Sequence, residues 1–190
     1  MYMFFDTETA GLPRSWSAPT TDLANWPRLV QIGWICCDAA GLETAVGEHL
    51  IKPDGFVIPP DAVARHGITT ARARAKGVEL DPVLRSFSEA VEGVGVLVAH
   101  NVSFDENVIG AELLRAGMQN VIPSKTRRCT MKESKGYCRI PGRQGYKWPT
   151  LTELHEILFG QKFDQSHDAS ADCRACMRCF FELKKLNAIA

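Results

Sequence analysis
Apolar residues open the chain as the run Met-Tyr-Met-Phe-Phe, which predicts a strand over residues 2–5. A polar loop carrying Pro13, Pro19 and Pro27 follows. Residues 29–37 and 44–51 predict two further strands, with Gly41 marking the turn between them. Residues 60–66 suit a short helix, and residues 81–91 a longer one. The apolar run 94–99, ending just before Asn101, suits a strand buried on both faces. Ser103-Phe104-Asp105-Glu106 then has the S-x-x-E form of a capping box ahead of an apolar-periodic helix with Val108, Ile109, Ala111, Leu113 and Leu114. It would fix Asp105 in a first helical turn. Thr150-Leu151-Thr152-Glu153 is a second such box, leading a helix with Leu154 and Leu158, and a last helix is expected from about Asp168 to about Leu186. Early strands and then alternating helices and strands point to one α/β domain, residues 1–190, built on a mixed sheet.

The bulk numbers agree with that reading. A chain of 190 residues with 45% apolar and 23% charged residues can bury a core of its own. No apolar run reaches the ~18 residues of a membrane span, and no secretory signal pattern opens the chain, so a cytoplasmic location without membrane attachment is expected. Seven cysteines, an odd number, do not make a disulfide framework. Asn101-Val102-Ser103 then fits the glycosylation pattern only by chance. The spacing Cys173, Cys176, Cys179 mimics part of a metal-cluster motif. On a helix, however, these thiols share a face with Ala169, Phe180 and Leu183, which is the pattern of core packing.

Net charge is zero, which argues against a wholly non-specific nucleic-acid binder, but its distribution is uneven. Between Lys125 and Lys147 eight basic residues face one acid, Glu133, which is +7 over 23 residues. Tyr137, Tyr146 and Trp148 are interleaved. Such a stretch could track phosphates and stack bases, or could be a solvated loop.

The acids carry most of the chemistry. Asp6 and Glu8 stand two residues apart at the end of an apolar strand, so both would point to the same face. Like charges placed there repel and lose hydration. Asp105 follows the next buried strand, and Asp172 lies early in the last helix with His167 just before it. Hard divalent ions such as Mg²⁺ resolve repulsion of this kind. Two of them ~3.5–4 Å apart form a clamp used for phosphodiester hydrolysis. Histidine is the natural base for the proton released.

Three segments in this order, Phe-Asp-Thr-Glu-Thr-Ala-Gly-Leu (residues 5–12), Ala-His-Asn-Val-Ser-Phe-Asp (99–105) and His-Asp-Ala-Ser-Ala-Asp (167–172), resemble the motifs of the DEDDh, or DnaQ-like, 3′–5′ exonucleases. The proofreading subunit of bacterial replicative DNA polymerase is one of that family. The resemblance implies a ribonuclease H-like fold, a five-stranded mixed sheet flanked by helices. It implies that Asp6, Glu8, Asp105 and Asp172 hold two divalent cations, Mg²⁺ or Mn²⁺, with His167 as general base. It also implies that Thr7, Thr9, Gly11, Leu12, His66, Asn101 and Phe104 meet the substrate. Ala10 stands where many relatives carry Thr. His100 reads as a structural hydrogen-bonding residue. The implied activity is removal of nucleoside 5′-monophosphates from 3′ ends of single-stranded nucleic acid, DNA favoured over RNA, either alone or with a DNA polymerase partner. An RNA-trimming enzyme and a non-catalytic nucleic-acid or polymerase-binding module on the same fold are the alternatives. A cysteine-based metal or redox module would rest on the last helix alone.

Overall fold
Strand β2 (Leu29–Cys37) is buried along its whole length, so both of its faces must be covered. A computed structural model describes residues 1–163 and 167–190 and shows how. β2 lies between the antiparallel neighbours β1 (Tyr2–Thr9) and β3 (Glu43–Leu50). β1 in turn pairs in parallel with β4 (Val96–Ala99), and β4 with β5 (Thr126–Cys129). The mixed sheet therefore runs β3-β2-β1-β4-β5.

Helices cover both faces. Met3, Phe5 and Trp34 point into a core closed by α3 (Leu80–Glu92), through Phe87 and Val91, and by α4 (Val102–Arg115), through Val108 and Ile109. Phe4 and Val98 point the other way. They meet Leu154 of α7 (Leu151–Phe159) and Cys176, Cys179, Phe180 and Leu183 of α8 (Ala169–Lys185). The thiols of α8 thus pack as small apolar groups. Two short helices, α1 (Pro60–His66) and α2 (Thr70–Lys76), pack through Ala62 and Ala73 around Val30. After β5 the chain makes α5 (Thr130–Glu133), α6 (Lys135–Cys138) and a small hairpin of β6 (Pro141–Gly142) and β7 (Gly145–Tyr146).

Two local expectations change. β1 does not stop at Phe5. It continues through the acidic stretch to Thr9, so Asp6 and Glu8 lie within the strand, where pairing with β2 outweighs their poor strand propensity. The Ser103–Glu106 capping box does not form. The chain turns out of β4 at Asn101, whose φ of 76° is left-handed, and α4 has already begun at Val102. Asparagine tolerates that backbone, so the helix starts earlier than the motif suggests. Ser103 is left inside the first turn, donating to Asn101 Oδ1 at 3.4 Å, and Glu106 pairs with Arg127 at 3.1 Å. Asp105 remains in the first turn. The second box does form. The Glu153 amide donates to Thr150 Oγ1 at 3.1 Å, and the Thr150 amide to Glu153 Oε2 at 2.8 Å.

Candidate active site
Period-two alternation puts Asp6 and Glu8 on the Phe4 face of β1, the face that α8 covers. α8 comes very close there. A Cβ at Gly33, which pairs with Asp6 across the ladder, would lie 2.8 Å from the Ala169 carbonyl. Only glycine lets the helix start against the strand at this distance. Gln31, opposite Glu8, fixes the same junction. Its Nε2 donates to Asp168 Oδ2 at 2.9 Å, and its Oε1 accepts from the Ala169 amide at 3.3 Å. Asp168 caps α8, accepting from the Ala171 amide through Oδ1 at 3.2 Å. Asp172, in the first turn of α8, is thereby held over β1.

Asp105 arrives from α4. Its Oδ1 accepts both the Thr7 amide (3.0 Å) and the Thr7 hydroxyl (2.7 Å), which ties the start of α4 to β1. His167, with a left-handed φ of 70°, donates its amide to Asp172 Oδ2 at 3.2 Å. Potential ligand atoms of Glu8, His167 and Asp172 all lie within 4.8 Å of one another. Asp6 and Asp105 line the same cavity of about 430 Å³ without belonging to that close trio.

Of the carboxylates lining this cavity, Asp6, Glu8, Asp105 and Asp172 hold their protons unusually tightly. Lost hydration, then Asp105, Asp172 and Glu8, drive Asp6 well above the usual carboxylate range. Burial, with Asp172 and Asp105, pushes Glu8 up to about 8, and Arg65 offsets only part of this. Burial raises Asp105 to about 7 despite its two bonds from Thr7. It raises Asp172 to about 7 against the His167 amide. Asp172 Oδ1 is buried with no hydrogen-bond partner. A cluster this short of positive charge, with an orphaned carboxylate oxygen and oxygen-rich donors at close spacing, fits hard divalent cations.

The substrate-facing expectations divide. Thr7, Thr9, Gly11, Leu12 and Phe104 line the cavity, and Leu12 is exposed at its edge. His66 and Asn101 do not line it. His66 Nδ1 accepts the Ile68 amide at 3.1 Å, so its Nε2 carries the proton and faces the Thr9 carbonyl at 3.3 Å. Asn101 makes the turn into α4. His100 bonds to Thr130 Oγ1 (2.9 Å) and to the Pro149 carbonyl (3.0 Å), in keeping with a structural role, yet it also lines the cavity. Sequence reasoning passed over Arg65 and Asp61 of α1, both in the cavity wall, and nothing in their pattern marks them. It also passed over Gln31, although a lone amide in the buried strand Leu-Val-Gln-Ile-Gly-Trp is itself a signal. Trp16, exposed in a polar loop with its ring 5.8 Å from that of Phe104, was another.

The sequence profile of the RNase_T exonuclease family matches residues 3–180. The chain belongs to the exonuclease family. Within it, this exonuclease is of the DnaQ-like 3′–5′ type. It is 31% identical over 178 residues to the DNA polymerase III subunit epsilon of Treponema pallidum, covering 93% of this chain and 73% of that one. Its fold matches E. coli Exonuclease I in complex with a dT13 oligonucleotide, with a TM-score of 0.76 at 23% identity. It also matches an Exonuclease I from Methylocaldum szegediense, with a TM-score of 0.72 at 20% identity. In both cases 97% of the exonuclease is covered, but it spans only 40% of the Exonuclease I chain. Among the described residues no helix is long and apolar enough to cross a membrane.

Proposed function
We propose that this exonuclease hydrolyses the last phosphodiester bond at the 3′ end of single-stranded DNA and releases nucleoside 5′-monophosphates, as one domain over residues 1–190. The observation that carries the reading is the convergence of Asp6, Glu8, Asp105 and Asp172 with His167 on a single open cavity. Single-stranded DNA as substrate draws support from the oligonucleotide complexes of the E. coli relative. The name of the T. pallidum relative makes a polymerase partner the natural one to test.

In this reading Asp6, Glu8, Asp105 and Asp172 hold two divalent cations, Mg²⁺ or Mn²⁺. When bound, the ions supply Lewis-acid activation of water and neutralise charge on the reacting phosphate. The chain's own residues do the rest. Thr7 fixes the Asp105 carboxylate by two hydrogen bonds. Partial burial, with Arg65 nearby, lowers the pKa of His167. The imidazole is therefore neutral near pH 7, and a ring nitrogen can accept the proton of the attacking water. Leu12 and Phe104 give the terminal base an apolar face. Thr9, whose hydroxyl donates to the Gly11 carbonyl at 2.6 Å, shapes the turn that meets the terminal sugar. His66 Nε2 supports that turn at the Thr9 carbonyl.

The deciding experiment incubates purified protein with matched single-stranded DNA, duplex DNA and RNA of defined 3′ label, in Mg²⁺, Mn²⁺ or chelator. Mononucleotides released stepwise from the 3′ end of single-stranded DNA, only with metal, are expected. A well-folded protein that releases none from any of the three would overturn the reading.

A further inference from the structure
The excursion between Thr130 and Pro149 begins and ends on one side chain. His100 Nδ1 meets Thr130 Oγ1 at 2.9 Å, and its Nε2 meets the Pro149 carbonyl at 3.0 Å. Burial brings the His100 pKa down to about 4, so the ring is neutral. Since a carbonyl only accepts, Nε2 carries the proton and Nδ1 accepts from the threonine. His100 lines the cavity. The two feet of α5, α6 and the β6–β7 hairpin are therefore tied to the cavity wall; Met131, Ser134 and Cys138 pack inward, and the remaining surface forms a flap. Residues 141–148 are all exposed.

This flap is basic and aromatic on its open surface. Lys147 is paired with Glu153, and Glu133 with Arg128. Lys132, Lys135, Arg139 and Arg143 are in no ion pair among the described residues. Tyr137, Tyr146 and Trp148 are 41%, 47% and 54% exposed. Large rings left in water beside unpaired cations are costly for a solvated loop and are what a single-stranded nucleic acid needs: cations for phosphates, ring faces for unpaired bases. Duplex DNA hides its base faces and would use only the charges.

We infer that the 131–148 flap is a binding surface for the single strand on the 5′ side of the nucleotide being removed. It rests on the proposed exonuclease reading, in which the strand 5′ of the removed nucleotide lies outside the cavity; the flap is joined to the cavity wall at His100. The acidic cavity itself repels phosphate until cations are present, so a basic surface joined to its wall supplies attraction that does not depend on metal.

The test uses two variants of the full chain, Arg139→Glu/Arg143→Glu and Tyr146→Ala/Trp148→Ala, both checked for an unchanged melting temperature. Binding of a fluorescent 12-mer of single-stranded DNA is read by anisotropy in chelator over a range of salt, which needs no turnover. Hydrolysis of that 12-mer and of a dinucleotide is read in metal. Both variants should bind the 12-mer about ten-fold or more weakly. The charge-reversal pair should also lose about 1.4 or more from the logarithmic salt slope. KM for the 12-mer should rise while kcat and dinucleotide hydrolysis stay put. Unchanged 12-mer binding and salt slope would overturn the inference. So would loss of dinucleotide hydrolysis, which would make the flap part of the reacting site. Equal losses on duplex, with no effect of the aromatic pair, would overturn its assignment to single strands. If the wild type cleaves nothing, the functional reading fails, while the anisotropy still decides the flap.

Discussion
At the scale of single residues, the unusual feature is an excess of carboxylate without counter-charge. Asp172 shows it most directly, with one buried oxygen unpaired and the other held by a backbone amide. Asp172→Asn removes a charge that the folded apoprotein holds at a cost. It should therefore raise the melting temperature in chelator while reducing metal-dependent cleavage about 10²–10³-fold or more. A paired scan and activity assay checks both directions. His167 makes a different prediction. Its lowered pKa keeps it unprotonated, and so able to act as a base, down to a pH below the ordinary histidine value. The kcat/KM of the wild type should fall on an acid limb below about pH 6.5. His167→Gln should lose about 10²–10⁴-fold in kcat, and with it the part of that limb due to histidine. These side chains were legible in the sequence because acids on an apolar strand and at helix starts contradict their surroundings. Their partners were harder to see. Thr7, a common strand residue, holds Asp105 across 98 positions of sequence. Arg65 faces the cavity from a helix whose pattern gives no reason to expect it.

Among elements, the decisive junction is the start of α8 on β2. Gly33 and Gln31 set how near the helix lies, and Asp168, Asp172 and His167 follow it. Gly33→Ala would place a methyl 2.8 Å from the Ala169 carbonyl, where backbone must give way. It should cost about 1–3 kcal/mol of stability, and it should raise the metal concentration needed for half-maximal activity. Denaturant unfolding and a Mg²⁺ titration measure the two effects. A variant that loses stability but keeps its metal requirement would show that the helix can move without disturbing the acids. Strand β2 and helices α3 and α8 were legible from their apolar patterns, β3 from the Gly41 turn before it and α7 from its capping box. The start of α4 was misread because a capping motif competes with an asparagine that can turn left-handed two residues earlier. β5, with sequence Thr-Arg-Arg-Cys, escaped notice altogether. As an edge strand with few apolar residues it has no periodic signature, and its place comes only from pairing with β4.

The whole molecule is neutral only as a sum. Five of its 22 acids line one cavity, four of them with strongly raised pKa values, and eight of its 22 bases lie on residues 125–147, so its stability should depend on pH and metal together. In the unfolded chain the four carboxylates titrate near pH 4. In the folded chain Glu8 titrates at about 8, and Asp105 and Asp172 at about 7. Between those limits the native state binds more protons than the unfolded state. By linkage, the stability of the metal-free protein must then fall as pH rises through that window and level off above it. Below about pH 4 both states are protonated, and the cluster costs nothing. Divalent ions compete with those protons, so their stabilising effect should run the opposite way, small at pH 5 and several degrees at pH 8. Thermal scans at both pH values, with chelator and with millimolar Mg²⁺ or Mn²⁺, measure this directly. Glu8→Gln should flatten the pH dependence in chelator and shrink the metal-induced shift. A metal-free protein equally stable at pH 5 and pH 8, unmoved by either ion, would mean that the cavity relaxes enough to hydrate its acids. Asp6 and Glu8 would then need an explanation other than cation binding.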